Sequence, residues 1–267
     1  MGRNSQGAST AEGHYDIRRG AAAYAPIVGA FGALAIPTVT VLFTSNKHKG
    51  SETLVALACG LLVVATIGSL TGSMGLAAIG AEKDNTANLP AAVLYTAVPV
   101  AIATVSVLAS FEVLAAIYLK DEKGLFAITT GAGGLAATFF VSFAVADSWQ
   151  SGPADEDIRR EWVLEQWIDS KETAYRKVDR ITVASGLPVL VGVILRLCGI
   201  HGSFTSTGVN WLVGAGLFLC VAGTFAGIQR TKHATHDSEQ KGIEAWEGYL
   251  APMVVGLYTL ALLTFLP

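Results

Sequence analysis

Charged residues are scarce in this chain of 267 residues. Asp, Glu, Lys and Arg make up 15% of it, whereas soluble globular proteins contain about 25%. Hydrophobic residues make up 52%, and the mean hydropathy is +0.50. The net charge of −3 also gives no basic surface of the kind that binds nucleic acid. This composition predicts an integral membrane protein whose main partner is the lipid bilayer.

Cysteine and histidine are few, and their positions exclude several kinds of site. The three cysteines, Cys59, Cys198 and Cys220, show no CxxC spacing, so we expect packing residues rather than a disulfide or a zinc site. All five histidines lie outside the cores of the apolar runs, which argues against a haem held by two histidines. The last apolar run has no lysine for a retinal Schiff base, and there is no phosphate-binding loop. We therefore expect no cofactor.

The chain has instead seven long apolar runs. As a helix, each run is long enough to cross about 30 Å of hydrocarbon. The runs are Ala21–Phe43, Thr53–Ile79, Ala91–Leu119, Leu125–Ala146, Ile181–Ile200, Val209–Ile228 and Tyr249–Leu266. The predicted fold is an all-α, polytopic bundle of seven transmembrane helices, four of them within 21–146 and three within 181–267. Residues 1–20 are predicted to form a disordered tail.

The distribution of Lys and Arg predicts the orientation of these helices. The N-terminal tail and the segments 80–90, 147–180 and 229–248 contain 13 of the basic residues, and the segments on the opposite side contain 5. Basic residues are retained on the cytoplasmic side of a membrane. We therefore expect a cytoplasmic N-terminus and an external C-terminus in a plasma or inner membrane.

The longest charged interruption, residues 147–180, lies between the fourth and fifth runs. Helical periodicity from Pro153 onward puts an apolar arc on one side and most charges on the other. The arc includes Val163, Leu164, Trp167, Ile168 and Tyr175. The pattern predicts an amphipathic cytoplasmic helix that uses this arc to contact the membrane surface, a protein partner or a second copy of the chain.

Short similarities connect alternate runs. Thr104-Val-Ser-Val-Leu108 in the third run resembles Thr38-Val-Thr-Val-Leu42 in the first, a pattern compatible with helical hairpins repeated in parallel orientation. The fifth and sixth runs are expected to form one such hairpin. In the second run, Gly68-Ser-Leu-Thr-Gly72 predicts the close approach of two helices.

Two charged residues lie within the predicted spans near the external surface. Glu112 is seven residues from the end of the third run, and Arg196 lies in the fifth run. A carboxylate within the membrane is costly and often marks a functional site. Two interpretations stay open. Glu112 either pairs with Arg196, or it is protonated or hydrogen-bonded to a neighbouring helix while Arg196 reaches the surface.

A transport path beside Glu112 is one hypothesis for these runs. Its lining would consist of Thr38, Thr104 and Ser106, on helices that Pro37 and Pro99 are expected to kink.

One further group has the spacing of metal ligands. His233, His236 and Asp237 are placed so that a helix would bring them together around zinc or another divalent ion. A solvated polar linker within 229–248 is the interpretation that we prefer.

Three classes of function fit these features. The sequence favours a non-enzymatic, multi-pass membrane protein whose cytoplasmic helices recruit a protein partner or form a homo-oligomer. The first alternative is a transporter or channel-like protein for a small solute or ion, with a path near Glu112. The second is a membrane-embedded enzyme that uses an acid at a cytoplasmic helix end, such as Asp147, or the cluster around His233.

Overall fold

The structure, a computed structural model, describes residues 17–44, 51–81, 89–118, 123–150, 164–200, 206–233, 243 and 245–266. Regular secondary structure in these ranges consists of seven α-helices. They are α1 (Ile17–Thr44), α2 (Glu52–Ala81), α3 (Leu89–Tyr118), α4 (Lys123–Gln150), α5 (Leu164–Leu197), α6 (Ser206–His233) and α7 (Ala245–Phe265). Each is long and apolar enough to cross a membrane. The predicted all-helical, seven-span bundle is confirmed.

The outer surface of the bundle is apolar, as a bilayer requires. Large hydrophobic side chains are exposed along α1, α5 and α6, and they include Phe31, Leu34, Val183, Ile194, Trp211 and Phe218. In water, so large an exposed apolar surface would be unfavourable. The fold is that of an integral membrane protein.

Helix α3 is the centre of the bundle. It packs against α1, α2, α4, α6 and α7. Helices α2, α3 and α4 form one layer of the bundle, and α6, α7 and α5 form a second layer that packs on the first. Helix α1 lies outside the layers and contacts only α2 and α3 in the described part of the chain. We call the end at which the odd-numbered helices begin the near end, and the opposite end the far end.

The small-residue face on α2 forms a close contact with α3. A Cβ atom added to Gly68 would lie 2.7 Å from the Pro99 carbonyl oxygen, and one added to Gly72 would meet Val100. Only glycine allows two backbones to approach this closely. The predicted close approach therefore occurs here.

The fifth and sixth helices do not form the expected hairpin. Within the described residues they make no contact with each other, since α5 packs on α4 and α7 while α6 packs on α2 and α3. Helix α7 lies between them. Its Gly256 lets the backbone of α7 approach the Ser185 carbonyl of α5, and this contact takes the place of a hairpin contact.

Helix α5 is also longer than expected. It runs without a break from Leu164 to Leu197, although its membrane-spanning part begins only at Arg176. The predicted boundary at residue 180, between an amphipathic helix and the fifth span, is therefore not a break in the helix. Twelve residues of α5 precede the span, which corresponds to about 18 Å of helix.

Candidate functional site

Polar contacts run along the seam between α3 and α7. Tyr95 Oη donates a hydrogen bond to Glu247 Oε1 at 2.5 Å, and the hydroxyls of Ser106 and Tyr258 lie 3.0 Å apart. Both pairs are separated by 152 positions in the sequence. Because this offset is constant, α3 and α7 run parallel in one register, with about 16 Å of helix between the two contacts.

A charged pair lies closer to the far end of α3. Arg196 Nη2 on α5 is 3.5 Å from Glu112 Oε1 on α3. The side chains of Glu112 and Arg196 are 1% and 8% exposed. Arg196 Nη1 also donates a hydrogen bond to the Leu266 carbonyl oxygen at 2.6 Å. The two charged groups that the sequence placed near the same surface are therefore neighbours.

The end of α5 holds Arg196 in this position. Gly199 has a φ of 75°, a left-handed conformation that favours glycine. The Gly199 N–H donates to the Arg196 carbonyl, and the Ile200 N–H donates to the Leu195 carbonyl. These bonds form a Schellman motif. The motif ends α5 directly after Arg196, so the guanidinium lies beside the end of α7.

A glycine-rich segment of α4 brings Thr130 to the same place. Cβ atoms added to Gly131, Gly133 and Gly134 would meet Val193 of α5, Leu108 of α3 and Thr259 of α7, respectively. The missing side chains thus let α4 approach three helices at once. As a result, the fully buried Thr130 hydroxyl lies next to the Glu112 carboxyl.

The oxygens at this place lack hydrogen bonds. Within the described residues, neither carboxylate oxygen of Glu112 has a hydrogen-bond partner, and neither does Thr130 Oγ1. The 3.5 Å separation from Arg196 exceeds the 2.7–3.2 Å of an N–H···O bond. We refer to Glu112, Thr130 and Arg196 as the far-end site. It contains an ion pair whose acid lies beside the Thr130 hydroxyl but makes no hydrogen bond of standard geometry within the described residues.

The predicted path residues are dispersed. The hydroxyls of Thr38 and Thr104 donate to carbonyls of their own helices, four residues earlier, at 3.2 and 2.9 Å. Thr38 lies on α1, which makes no contact with α4–α7 among the described residues. Ser106 lies on the seam and not at the far-end site. The structure thus brings together only Glu112 and Arg196 of the predicted group.

Three parts of this arrangement were not predicted from the sequence. They are the Thr130 hydroxyl, the Leu266 carbonyl and the hydrogen bond between Tyr95 and Glu247, which we call the near-end contact. Glu247 was assigned to the segment 229–248, but it lies in the first turn of α7 and is 4% exposed. A signal was available, because a carboxylate is favoured in the first turn of a helix. Neither the backbone carbonyl nor Thr130 stands out by residue type.

Other predicted residues are described incompletely. Val163, His236 and Asp237 lie outside the described residues, and His233 is the last residue of α6. Leu164, Trp167, Ile168 and Tyr175 belong to α5, but only their backbone is described. The metal site and the apolar contact arc therefore stay predictions.

Comparisons with known protein families, with curated proteins and with solved structures find no match for this chain. What the protein does has to be inferred from its own residues and contacts.

Proposed function

We propose that this protein transports a small ion across the membrane and that the far-end site binds the ion. The observation that supports this function is the Glu112 carboxyl, which is 1% exposed, has a cation at 3.5 Å and has no hydrogen bond among the described residues. Ionisable groups within membrane spans often mark ion pathways. Transport therefore ranks above recruitment in our proposal.

The energetics of burial distinguish this site from a structural ion pair. Burying two charges costs several kcal/mol for each ion, and hydrogen bonds to the remaining lone pairs are needed to offset that cost. Here three oxygens on two helices, α3 and α4, have no such bond within the described residues. A site used only for stability would be expected to satisfy them, whereas a binding site leaves them for a ligand.

The position of the site suggests where an ion would enter and leave. Glu112 lies six residues before the end of α3, about 9 Å along the helix. The distance to the far surface is therefore short. Passage to the near end would follow the seam, where the Ser106 and Tyr258 hydroxyls are in contact. Helix α6 packs against this seam, because a Cβ atom added to its Gly216 would lie 2.6 Å from Tyr258 Oη.

Ion-jump electrophysiology on a solid-supported membrane tests this function. Liposomes containing the purified protein are exposed to steps in proton, sodium, potassium or chloride concentration. We expect a transient current for at least one of these ions and its loss in Glu112→Gln. Glu52→Gln is the matched control, because Glu52 is an exposed carboxylate at the same end. Equal currents in Glu112→Gln and the wild type, or no wild-type current with any of the four ions, would overturn the proposal.

Recruitment of a protein partner is the second candidate. It is supported by the twelve residues of α5 that precede the span in one continuous helix, because a helix of this length offers a rigid surface outside the bilayer. Trp167→Asp should weaken self-association or partner capture while the bundle stays folded. Gln166→Asp is the control, since helical periodicity places Gln166 outside the apolar arc. Unchanged association in Trp167→Asp would remove this candidate.

A further inference from the structure

Resting on the transport function proposed above, we infer that the far-end site carries a proton on the Glu112 carboxyl. Arg196 keeps its hydrogen bond to the Leu266 carbonyl when the Glu112 carboxyl becomes neutral. The bond that forms is an O–H bond on one carboxylate oxygen, and the bond that breaks is an O–H bond of hydronium, which leaves as water. No electron is transferred.

The set of groups in the site favours a proton over a metal cation. Among the described residues the free oxygens are the two of Glu112 and the one of Thr130, because the Leu266 carbonyl already accepts from Arg196. Three oxygens are few for a cation that must lose its hydration shell. The guanidinium at 3.5 Å would also repel a metal ion bound at the carboxylate. A proton needs only one oxygen.

Thr130 suits both states of the carboxyl. A hydroxyl can donate one hydrogen bond and accept others, whereas a carboxylate only accepts and a protonated carboxyl also donates. A small rotation would let Thr130 donate to the charged form of Glu112 and accept from the neutral form. The same side chain thus serves as a partner before and after the proton arrives.

Arg196 has a second partner that does not titrate. The Leu266 carbonyl follows the C-terminal end of α7, where the helix dipole is negative. The guanidinium therefore keeps a compensating group when Glu112 loses its charge. Without this carbonyl, protonation would leave a buried cation with no partner, which is costly.

No other charged group in the described part of the chain acts on this carboxyl. Arg196 on α5 is the only cation, α4 contributes the Thr130 hydroxyl, and α7 contributes the Leu266 carbonyl. Helices α1, α2 and α6 contribute no charged side chain at this position. The charge of the site therefore follows from Glu112 and Arg196 alone.

Infrared difference spectroscopy between alkaline and acidic buffer tests the inference on the full chain in lipid. We expect a carbonyl band of a protonated carboxyl to appear on acidification, at the high frequency of a poorly hydrogen-bonded group. The band should be absent in Glu112→Gln and kept in Glu247→Gln, which removes the other carboxyl that is buried among the described residues. In Arg196→Gln it should be present in both buffers, because the cation that stabilises the charged form is gone.

Two results would overturn the inference: a high-frequency band that Glu112→Gln retains, or a spectrum without a pH-dependent carboxyl band at that frequency. If Glu112→Gln does not fold, isotope-labelled glutamate in Glu247→Gln shifts all glutamate bands without changing the site, and a shift of the high-frequency band assigns it to Glu112. The electrophysiology separates this inference from the proposed function. Currents carried by sodium, potassium or chloride that require Glu112, with no titrating band, would refute proton binding by Glu112 and leave the proposed transport function standing. A titrating band without any current would refute transport and leave the proton site standing.

Discussion

The two ends of the α3–α7 seam each contain a buried carboxyl, and the two differ in their partners. At the near end, Glu247 is 4% exposed and accepts a hydrogen bond from Tyr95 at 2.5 Å. At the far end, Glu112 is 1% exposed and has only an ion pair at 3.5 Å within the described residues. The comparison teaches that burial alone does not identify a functional acid. The state of its hydrogen bonds is more informative.

The packing around the two carboxyls, Glu247 and Glu112, also differs. Glycines of α6 hold Tyr95 in place, because Cβ atoms added at Gly223 and Gly227 would lie 3.3 Å from Tyr95 atoms. The near-end contact is thus a fixed joint between α3 and α7 with α6 packed against it. At the far-end site the carboxyl has an ion pair at 3.5 Å in place of such a bond, so a change in its charge removes an ion pair but no hydrogen bond of standard geometry.

The largest effect is expected from Arg196→Leu, which removes the cation beside Glu112, so that this buried carboxyl has to bind a proton even in alkaline buffer. In alkaline buffer we expect a loss of about 3–5 kcal/mol in the free energy of unfolding. Glu112→Leu should also destabilise, and the double variant should lose less than the sum of the two. Unfolding in detergent measures this cycle, and the coupling should be about 0.5–3 kcal/mol. Additive losses would show that the two charges act independently.

Gly256→Ala should weaken the contacts at both ends of the α3–α7 seam, because α7 is held in place by its contact with α5. The added Cβ atom would meet the Ser185 carbonyl oxygen, a backbone atom that cannot rotate away. We expect a loss of about 3 kcal/mol. Gly214→Ala is the matched control, since a Cβ atom there has no neighbour within 4 Å. Equal stabilities of the two variants would contradict the close contact.

Tyr95→Phe should affect the near end alone. It removes a hydrogen bond to a carboxylate, which corresponds to about 1.5–3 kcal/mol of stability. The infrared band of Glu112 and the ion currents should keep their wild-type pH dependence. A changed pH dependence in this variant would show that the two ends are coupled, against the comparison above.

A labelling experiment identifies which end faces the cytoplasm and should leave stability unchanged. The excess of basic residues predicts that the near end is cytoplasmic. In a chain whose exposed Cys198 is replaced by serine, a cysteine in place of Ser45 should react with an impermeant reagent in intact cells, and one in place of Ser170 should not. The reverse pattern would invert the predicted orientation.

The sequence predicts the spans well because the bilayer imposes one requirement on every span. Each must be about 20 apolar residues long with its backbone bonded internally. The same scarcity of charge makes Glu112 and Arg196 conspicuous. Their similar depth allowed a contact between these two side chains, but the sequence left the pairing open, because depth alone does not say which helices are neighbours.

The neighbours of each helix could not be predicted in the same way. Short loops suggested that α5 and α6 pair, but glycine contacts at Gly256 on α7 and Gly223 on α6 select other partners. Thr38 and Thr104 looked like lining residues, yet their hydroxyls are satisfied within their own helices. The neighbours of a helix depend on which small residues face each other between helices, and residue type alone does not reveal this.

The place of α7 between α5 and α6 has a consequence for biosynthesis. The ribosome completes both flanking helices before α7, so the newly inserted bundle must keep a gap between them. Until α7 enters that gap, Ser106 lacks the Tyr258 hydroxyl and Arg196 lacks the Leu266 carbonyl. Insertion of α7 is therefore the step that closes the bundle and gives each of these two side chains its second partner, beside the Ile102 carbonyl for Ser106 and the Glu112 carboxyl for Arg196.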